Sequence, residues 1–322
     1  MSDAPTVSVI LNAYNAARDL PRALESVFAQ TMQDYEIIVY DNCSTDETRT
    51  VAMRYAKRVR LFTGDTHCPL GAARNRAIRE ARGRYIAFLD CDDLWRPTKL
   101  EKQLACFDRD PLVGLVTTDT LFVTDGRPRG RLFERTKPAR GRVFALLLTR
   151  QWISMSSVVI RRSALDSLVA GEQKGEPKWF DEQFEVCEEA DVFYRIAHDW
   201  ALDYVDEPLT VWSVHGGNTS FRRFGAFASE TLRILEKLRA LYPDFTRDYG
   251  ALDTLVRNRA SFQRAVDLWR RGEAEKAREL LSTLPATGKN RLFTLCTYLP
   301  GSCFDMLAKL YFALPSWLHR KL

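Results

Sequence analysis

Two acids in this sequence stand where a chain of alternating strands and helices would place chemistry. Asp41 follows the apolar run Glu36-Ile37-Ile38-Val39-Tyr40, and Asp90 follows Tyr85-Ile86-Ala87-Phe88-Leu89. Both runs read as buried strands, and an open parallel sheet binds ligands at the carboxyl ends of its strands. Asp90 opens Asp90-Cys91-Asp92-Asp93, a D-x-D pattern with an acid added at the fourth position. Three carboxylates in four residues repel one another unless a cation lies among them. A hard divalent ion, Mg2+ or Mn2+, takes oxygen ligands and bridges carboxylates to substrate phosphates. The competing reading is a polar turn in which Asp93 caps the helix that starts near Pro97.

The elements that must position these acids are visible in the first 125 residues. Strand runs at Val7 to Leu11, Glu36 to Tyr40, Val59 to Phe62 and Tyr85 to Leu89 alternate with helix-period segments. Leu20, Leu24, Val27 and Phe28 share one helix face behind Pro21, and Leu100, Leu104 and Phe107 share another behind Pro97. Repeated βα units of this length predict a parallel sheet covered by helices. Further along, Gly114 to Val123, Ser156 to Ile160 and Leu202 to Val205 read as strands, and Glu189 to His198 as a helix. Residues 127–142 read as a loop. From about Phe224 the pattern is helical.

Composition narrows the class. The 322 residues are 46% hydrophobic and 28% charged, ordinary for a globular protein, with a formal charge of +5. That charge is too mild to argue for nucleic acid. Seven scattered cysteines without a C-x-x-C pair speak against a disulfide framework or a cysteine-rich zinc site. The start, Met1-Ser2-Asp3-Ala4-Pro5, lacks a basic leader, and no apolar run reaches the eighteen or so residues of a spanning helix. The expectation is a cytoplasmic protein, peripheral at most on the inner face of the cytoplasmic membrane.

Four ordered blocks carry a resemblance. Val7-Ser8-Val9-Ile10-Leu11-Asn12-Ala13-Tyr14-Asn15, Asp41-Asn42-Cys43-Ser44-Thr45-Asp46, Gly71-Ala72-Ala73-Arg74-Asn75 and Tyr85 to Trp95 with its D-x-D together resemble the family-two, GT-A fold, inverting nucleotide-sugar glycosyltransferases of bacterial cell-surface glycans. The resemblance covers residues 6 to about 220. It implies an α/β fold with a Rossmann-like, mostly parallel central sheet flanked by helices, and a nucleotide-sugar donor. Asp41 would accept from the nucleotide base, and Asn12, Ala13 and Tyr14 would line base and ribose. Arg74 would neutralise base-side or phosphate charge. Asp90 and Cys91 would face the donor, and Asp92 would hold the metal on the diphosphate. Asn42 stands where many relatives carry a second Asp.

The later blocks extend the resemblance. Phe180 to Phe193 resembles the family's acceptor-side segment, in which the second acid of a pair opening a helix is the general base. That places the base at Glu189, although relatives usually carry Asp there, so Glu188, Glu189 and Asp191 all stay candidates. Acids in a helix first turn are also favoured by the dipole alone. Glu207 to Ser220 resembles the closing segment. There His215, one of four histidines, would ligate the metal or hold the diphosphate, unless it is a surface-loop residue.

Domain expectations follow: a GT-A domain over 1–222, with a donor half to about 125 and an acceptor half from 126, then a helical region over 223–322. Arg127, Arg129, Arg131, Arg135, Lys137, Arg140 and Arg142 make a basic loop suited to an anionic acceptor such as a lipid-linked glycan. Without interleaved aromatic residues it does not suit RNA. The tail after Asn290, rich in Leu, Phe, Tyr and Trp with basic flanks, fits a membrane surface, the protein body or a homo-oligomer interface. A nucleotidyltransferase would need a Gly-rich, Lys-containing loop after the first strand, which Asn12 to Arg18 lacks. A non-catalytic scaffold would be expected to lose the D-x-D or the later acids, and both are present. No G-x-G-x-x-G supports a Rossmann oxidoreductase.

Overall fold

The computed structural model describes residues 4–134, 136–170, 176–216 and 225–303. The chain divides into two compact units, Met1–Arg222 and Arg223–Leu322.

The first unit is built on one nine-stranded sheet: β1 (Val7–Ala13), β2 (Tyr35–Asp41), β3 (Arg60–Thr63), β4 (Tyr85–Phe88), β5 (Leu94–Trp95), β6 (Val113–Thr124), β7 (Arg127–Arg131), β8 (Val159–Arg161) and β9 (Ala201–Ser213). Its order is β3-β2-β1-β4-β8-β6-β9-β5, with β7 paired on β6. The strands β3, β2, β1 and β4 are parallel, as are β6 and β9, while β8, β7 and β5 run against their neighbours. The expected mostly parallel α/β sheet is therefore present.

Helices α1 (Leu20–Phe28), α2 (Thr48–Met53), α3 (Leu70–Glu80), α4 (Lys99–Arg109), α5 (Phe144–Thr149), α6 (Arg162–Ser167) and α7 (Glu188–Asp199) accompany it. Helix α1 shows why they form: Leu20, Ala23, Leu24 and Val27 recur at helical spacing and are all buried. They join Val7, Val9, Leu11, Val39 and Ala87 in the main apolar cluster. Gly83 lets β4 lie against β1, because a Cβ there would come within 2.4 Å of the Ser8 nitrogen.

Two stretches differ from expectation. The basic loop begins as strand β7, joined to β6 by Asp125 and Gly126 at φ 51° and 72°, the left-handed pair that a two-residue hairpin turn demands. Strand β9 runs thirteen residues rather than four. Pro208 is tolerated inside it because it faces Asp119 where the β6–β9 register shifts.

The second unit holds α8 (Ala226–Leu241), α9 (Phe245–Arg270), α10 (Ala274–Ser282), α11 (Gly288–Cys296) and a 3-10 turn at Gly301–Cys303. Ala265, Trp269, Ala277 and Leu281 form its small core, with Phe262 and Phe293 packed on it. Of the expected tail after Asn290, the part from Phe304 to Leu322 lies outside the described residues.

Candidate functional site

Asp41 and Asp90 lie at the carboxyl ends of β2 and β4, the two strands that flank β1. Asp90 stands two residues past the end of β4. Its backbone N–H donates to Ser156 Oγ at 3.1 Å, and Ser156 Oγ donates to Asp93 Oδ2 at 2.6 Å. Asp93 Oδ1 also accepts from the Ser213 N–H at 3.1 Å. Asp93 thus ties the end of β4 to β9, and does not cap α4, whose N-cap Thr98 makes no side-chain cap bond. Burial first, and then Asp90 and Asp92, push the Asp93 carboxyl well above the carboxylate range.

A cavity of about 300 Å³ opens beside this turn. Arg74, Asp90, Asp92, Glu188 and Glu189 line its charged side, and Ile153, Met155, Val186 and Trp212 its apolar side. Helix α3 delivers Arg74. Gly71 permits the approach, since a Cβ would lie 3.1 Å from the Asp181 carbonyl. Asn75 then clamps the Phe180 peptide on both sides: its Nδ2 donates to Phe180 O at 2.8 Å, and its Oδ1 accepts from Phe180 N at 2.9 Å. This clamp sets the segment that leads into α7.

The three acids of α7 are held in three different ways. Glu188, 4% exposed at its side chain, accepts from Arg74 Nη1 at 2.6 Å. Asp191 is fully buried, pairs with Arg195 at 2.9 Å one helical turn on, and does not line the cavity. Glu189 remains, 30% exposed toward the cavity and 3.8 Å from Arg74. Its carboxyl is pushed up to about 8, by desolvation first and then by Glu188 and Asp90, against the pull of Arg74. Burial alone would lower the Arg74 guanidinium, but Glu188, Asp90 and Glu189 together hold it above its ordinary value. Arg74 is 3% exposed at its side chain, so its charge is committed to these acids before any phosphate arrives.

Asp92 and His215 meet on the same side of the sheet, with Oδ2 and Nε2 2.9 Å apart. Ligands at adjacent corners of an octahedral ion, each about 2.0–2.1 Å from it, would lie about 3 Å apart. The spacing, held here by a hydrogen bond between the two side chains, matches that of two ligands on a hard divalent cation, which would take the place of the shared proton. Among the described residues no three His, Cys, Asp or Glu side chains form a ready cage. Two protein donors suit an ion that completes its shell with water and phosphate oxygens.

The remaining expected donor residues do not line this cavity but gather at the ends of β1 and β2. Ala13 and Asp41 are register neighbours and both are buried. The Ala13 side chain packs into the core. Asp41 Oδ1 accepts from the Ser44 N–H at 3.1 Å. Asn12 has a buried Nδ2 without a hydrogen-bond partner. Cys91 turns its buried thiol toward the Asn12 carbonyl at 3.4 Å, so its side chain faces the body rather than the cavity. Tyr14 is half exposed.

One residue of this edge went unnoticed in the sequence. His67 packs its ring on Tyr14 with centroids 4.3 Å apart, and its Nδ1 lies 3.0 Å from the Asn42 carbonyl. Asn42 clamps the neighbouring Cys68 peptide, donating to its oxygen at 2.8 Å and accepting from its nitrogen at 3.1 Å. An aspartate there could make only the second bond, which accounts for the amide. No local pattern points to His67, because its contact is with a ring fifty-three positions earlier.

A mostly parallel sheet with acids at one edge, crossed by a helix bearing further acids, defines the GT-A class of fold. The chain belongs to glycosyl transferase family 2, whose profile matches residues 8–169, half of the chain. It is 39% identical over 127 residues to the putative teichuronic acid biosynthesis glycosyltransferase TuaG of Bacillus subtilis, covering 38% of this chain and 50% of TuaG. The chain spans about half the length of the curated relatives it matches first. Among solved structures, S. aureus TarS 1-349 in complex with UDP is similar with a TM-score of 0.58 at 18% identity, covering 91% of this chain and 89% of that one. The mannosyltransferase PcManGT of Pyrobaculum calidifontis, in complex with GDP-Man and Mn2+, is similar with a TM-score of 0.55 at 19% identity, covering 92% and 85%.

Proposed function

We propose that this chain is an inverting, metal-dependent glycosyltransferase that moves a sugar from a nucleoside-diphosphate sugar, with UDP preferred, to a hydroxyl of a glycan or lipid-linked acceptor in surface-glycan assembly. The observation that carries this reading is the single cavity shared by Asp90, Asp92, Arg74 and Glu189, with His215 against Asp92. The UDP bound to TarS and the GDP-Man and Mn2+ bound to PcManGT support a nucleotide donor with a cation. The teichuronic acid role in TuaG's name supports a surface polymer.

In this reading Asp41 and Asn12 take the base and ribose, and Tyr14, backed by His67, offers a flat face to the base. Asp90 faces the donor sugar. Asp92 and His215 would hold Mn2+ or Mg2+, which when bound supplies positive charge to the departing diphosphate. Glu189 takes the acceptor hydroxyl proton as that oxygen bonds to the anomeric carbon and the bond to the nucleoside diphosphate breaks. A single displacement inverts the anomeric centre. Glu188 keeps Arg74 in place behind Glu189, and the apolar wall around Trp212 keeps bulk water from the reacting carbon.

The decisive experiment is a panel of nucleotide sugars, each measured for binding and hydrolysis with and without Mn2+. In Asp92→Ala, Mn2+ should cease to tighten nucleotide binding, a loss of at least about tenfold by calorimetry, since even an outer-shell partner costs that much. Equal binding of every nucleotide with and without metal would overturn the proposal. A second expectation concerns pH. Glu189 acts as base only when ionised, and its carboxyl sits near 8. The value of kcat/KM should therefore climb about tenfold per pH unit below that point and level off above it. A profile flat down to about pH 5 would mean that another group takes the proton.

A further inference from the structure

Helix α11 has no buried residue among its nine. Phe293 fixes its inner side, with ring contacts to Phe262 at 5.0 Å and Trp269 at 5.3 Å. At about 100° per residue, Arg291 and Leu295 fall opposite Phe293 with Leu292 at their flank, while Lys289 falls on the inner side over the Phe262 ring; Arg291, Leu292 and Leu295 are exposed, Leu295 to 66%. Tyr298 and Leu299 continue the stripe past the helix end, also exposed. This segment is anchored: Trp269 Nε1 donates to the Leu299 carbonyl at 2.8 Å, and the Arg278 guanidinium lies 4.6 Å over the Tyr298 ring. Single exposed leucines are ordinary, but a contiguous anchored stripe marks an interaction surface.

Charge around the stripe is one-sided. The second unit carries 17 Lys and Arg against 10 Asp and Glu, whereas the first carries 30 against 32. No acid occurs between Glu279 and Asp305, an interval that holds Lys289 and Arg291 as well as the whole stripe. A second copy meeting this face about a two-fold axis would set Arg291 against its own like charge. Anionic headgroups meet both features together: leucines enter the acyl boundary, tyrosine sits at headgroup depth, and basic side chains meet phosphate. Among the described residues no helix is long and apolar enough to cross a membrane, so the contact is one of lying on the surface.

We propose that the outward face of α11, continued through Leu299, docks this chain on an anionic lipid surface. The test is flotation of the full chain with vesicles of phosphatidylcholine alone and of phosphatidylcholine with phosphatidylglycerol. The chain should partition to the anionic vesicles, less so at high salt. Arg291→Gln should weaken partitioning roughly fivefold, and Leu292→Asp with Leu295→Asp by at least about tenfold. These side chains are exposed, so circular dichroism should be unchanged in both variants. The proposal is overturned if the wild-type chain ignores anionic vesicles, or if neither variant alters partitioning. It is equally overturned if Leu292→Asp with Leu295→Asp splits a dimer in light scattering while vesicle binding persists. Vesicle binding is read without turnover, so its failure and the failure of the proposed reaction are separate results.

Discussion

Glu189→Gln should lower kcat by about 10²–10⁴-fold, the usual worth of a positioned general base, and leave the Kd for nucleotide sugar nearly unchanged. The substitution keeps shape and removes only the capacity to take a proton. The expectation singles out Glu189 because the neighbouring acids are engaged. Glu188 is bound to Arg74 at 2.6 Å, and Asp191 to Arg195 at 2.9 Å. Stopped assays of sugar transfer alongside calorimetric titration of donor separate the two quantities. A Gln variant with full turnover would move the base to another group.

Arg74→Met should destabilise the first unit by about 3–5 kcal/mol, the cost of stripping one partner from a buried ion pair. Glu188 would keep its carboxylate at 4% exposure with its nearest positive charge gone. For a unit of this size the loss corresponds to a fall in Tm of roughly 10 °C. The double change Arg74→Met with Glu188→Leu should recover most of that stability, since an apolar pair of similar volume carries no desolvation penalty. Donor turnover should not recover with it, because the pull of Arg74 on the Glu189 carboxyl is larger than the push of Glu188, and the loss of both leaves the ionised form less favoured. Thermal unfolding of the single and double variants, with activity on the double, checks both halves.

The acids at the ends of β2 and β4 were legible because strands announce themselves locally, by apolar runs, and a parallel sheet places its ligands at strand ends. The choice among Glu188, Glu189 and Asp191 was not legible as a whole. Part of it could have been seen, since Arg195 stands four residues after Asp191 and i,i+4 pairs meet on a helix. The rest depends on Arg74, 114 positions earlier. The two-residue turn at Asp125-Gly126 carried a clear hairpin signal, but the basic residues and Pro128 around it read as loop. His67 had no signal of its own, because a ring contact across fifty positions leaves no periodicity.

The separation of Arg74 from Glu188 also has a consequence during synthesis. A ribosome adding about 5–20 residues per second needs roughly 6–23 s to travel those 114 positions. Throughout that interval the nascent chain holds a guanidinium destined for a dry interior with Asp90 soon made but Glu188, its closest partner, still to come. Helix α3 should therefore keep that side hydrated until the acidic helix emerges.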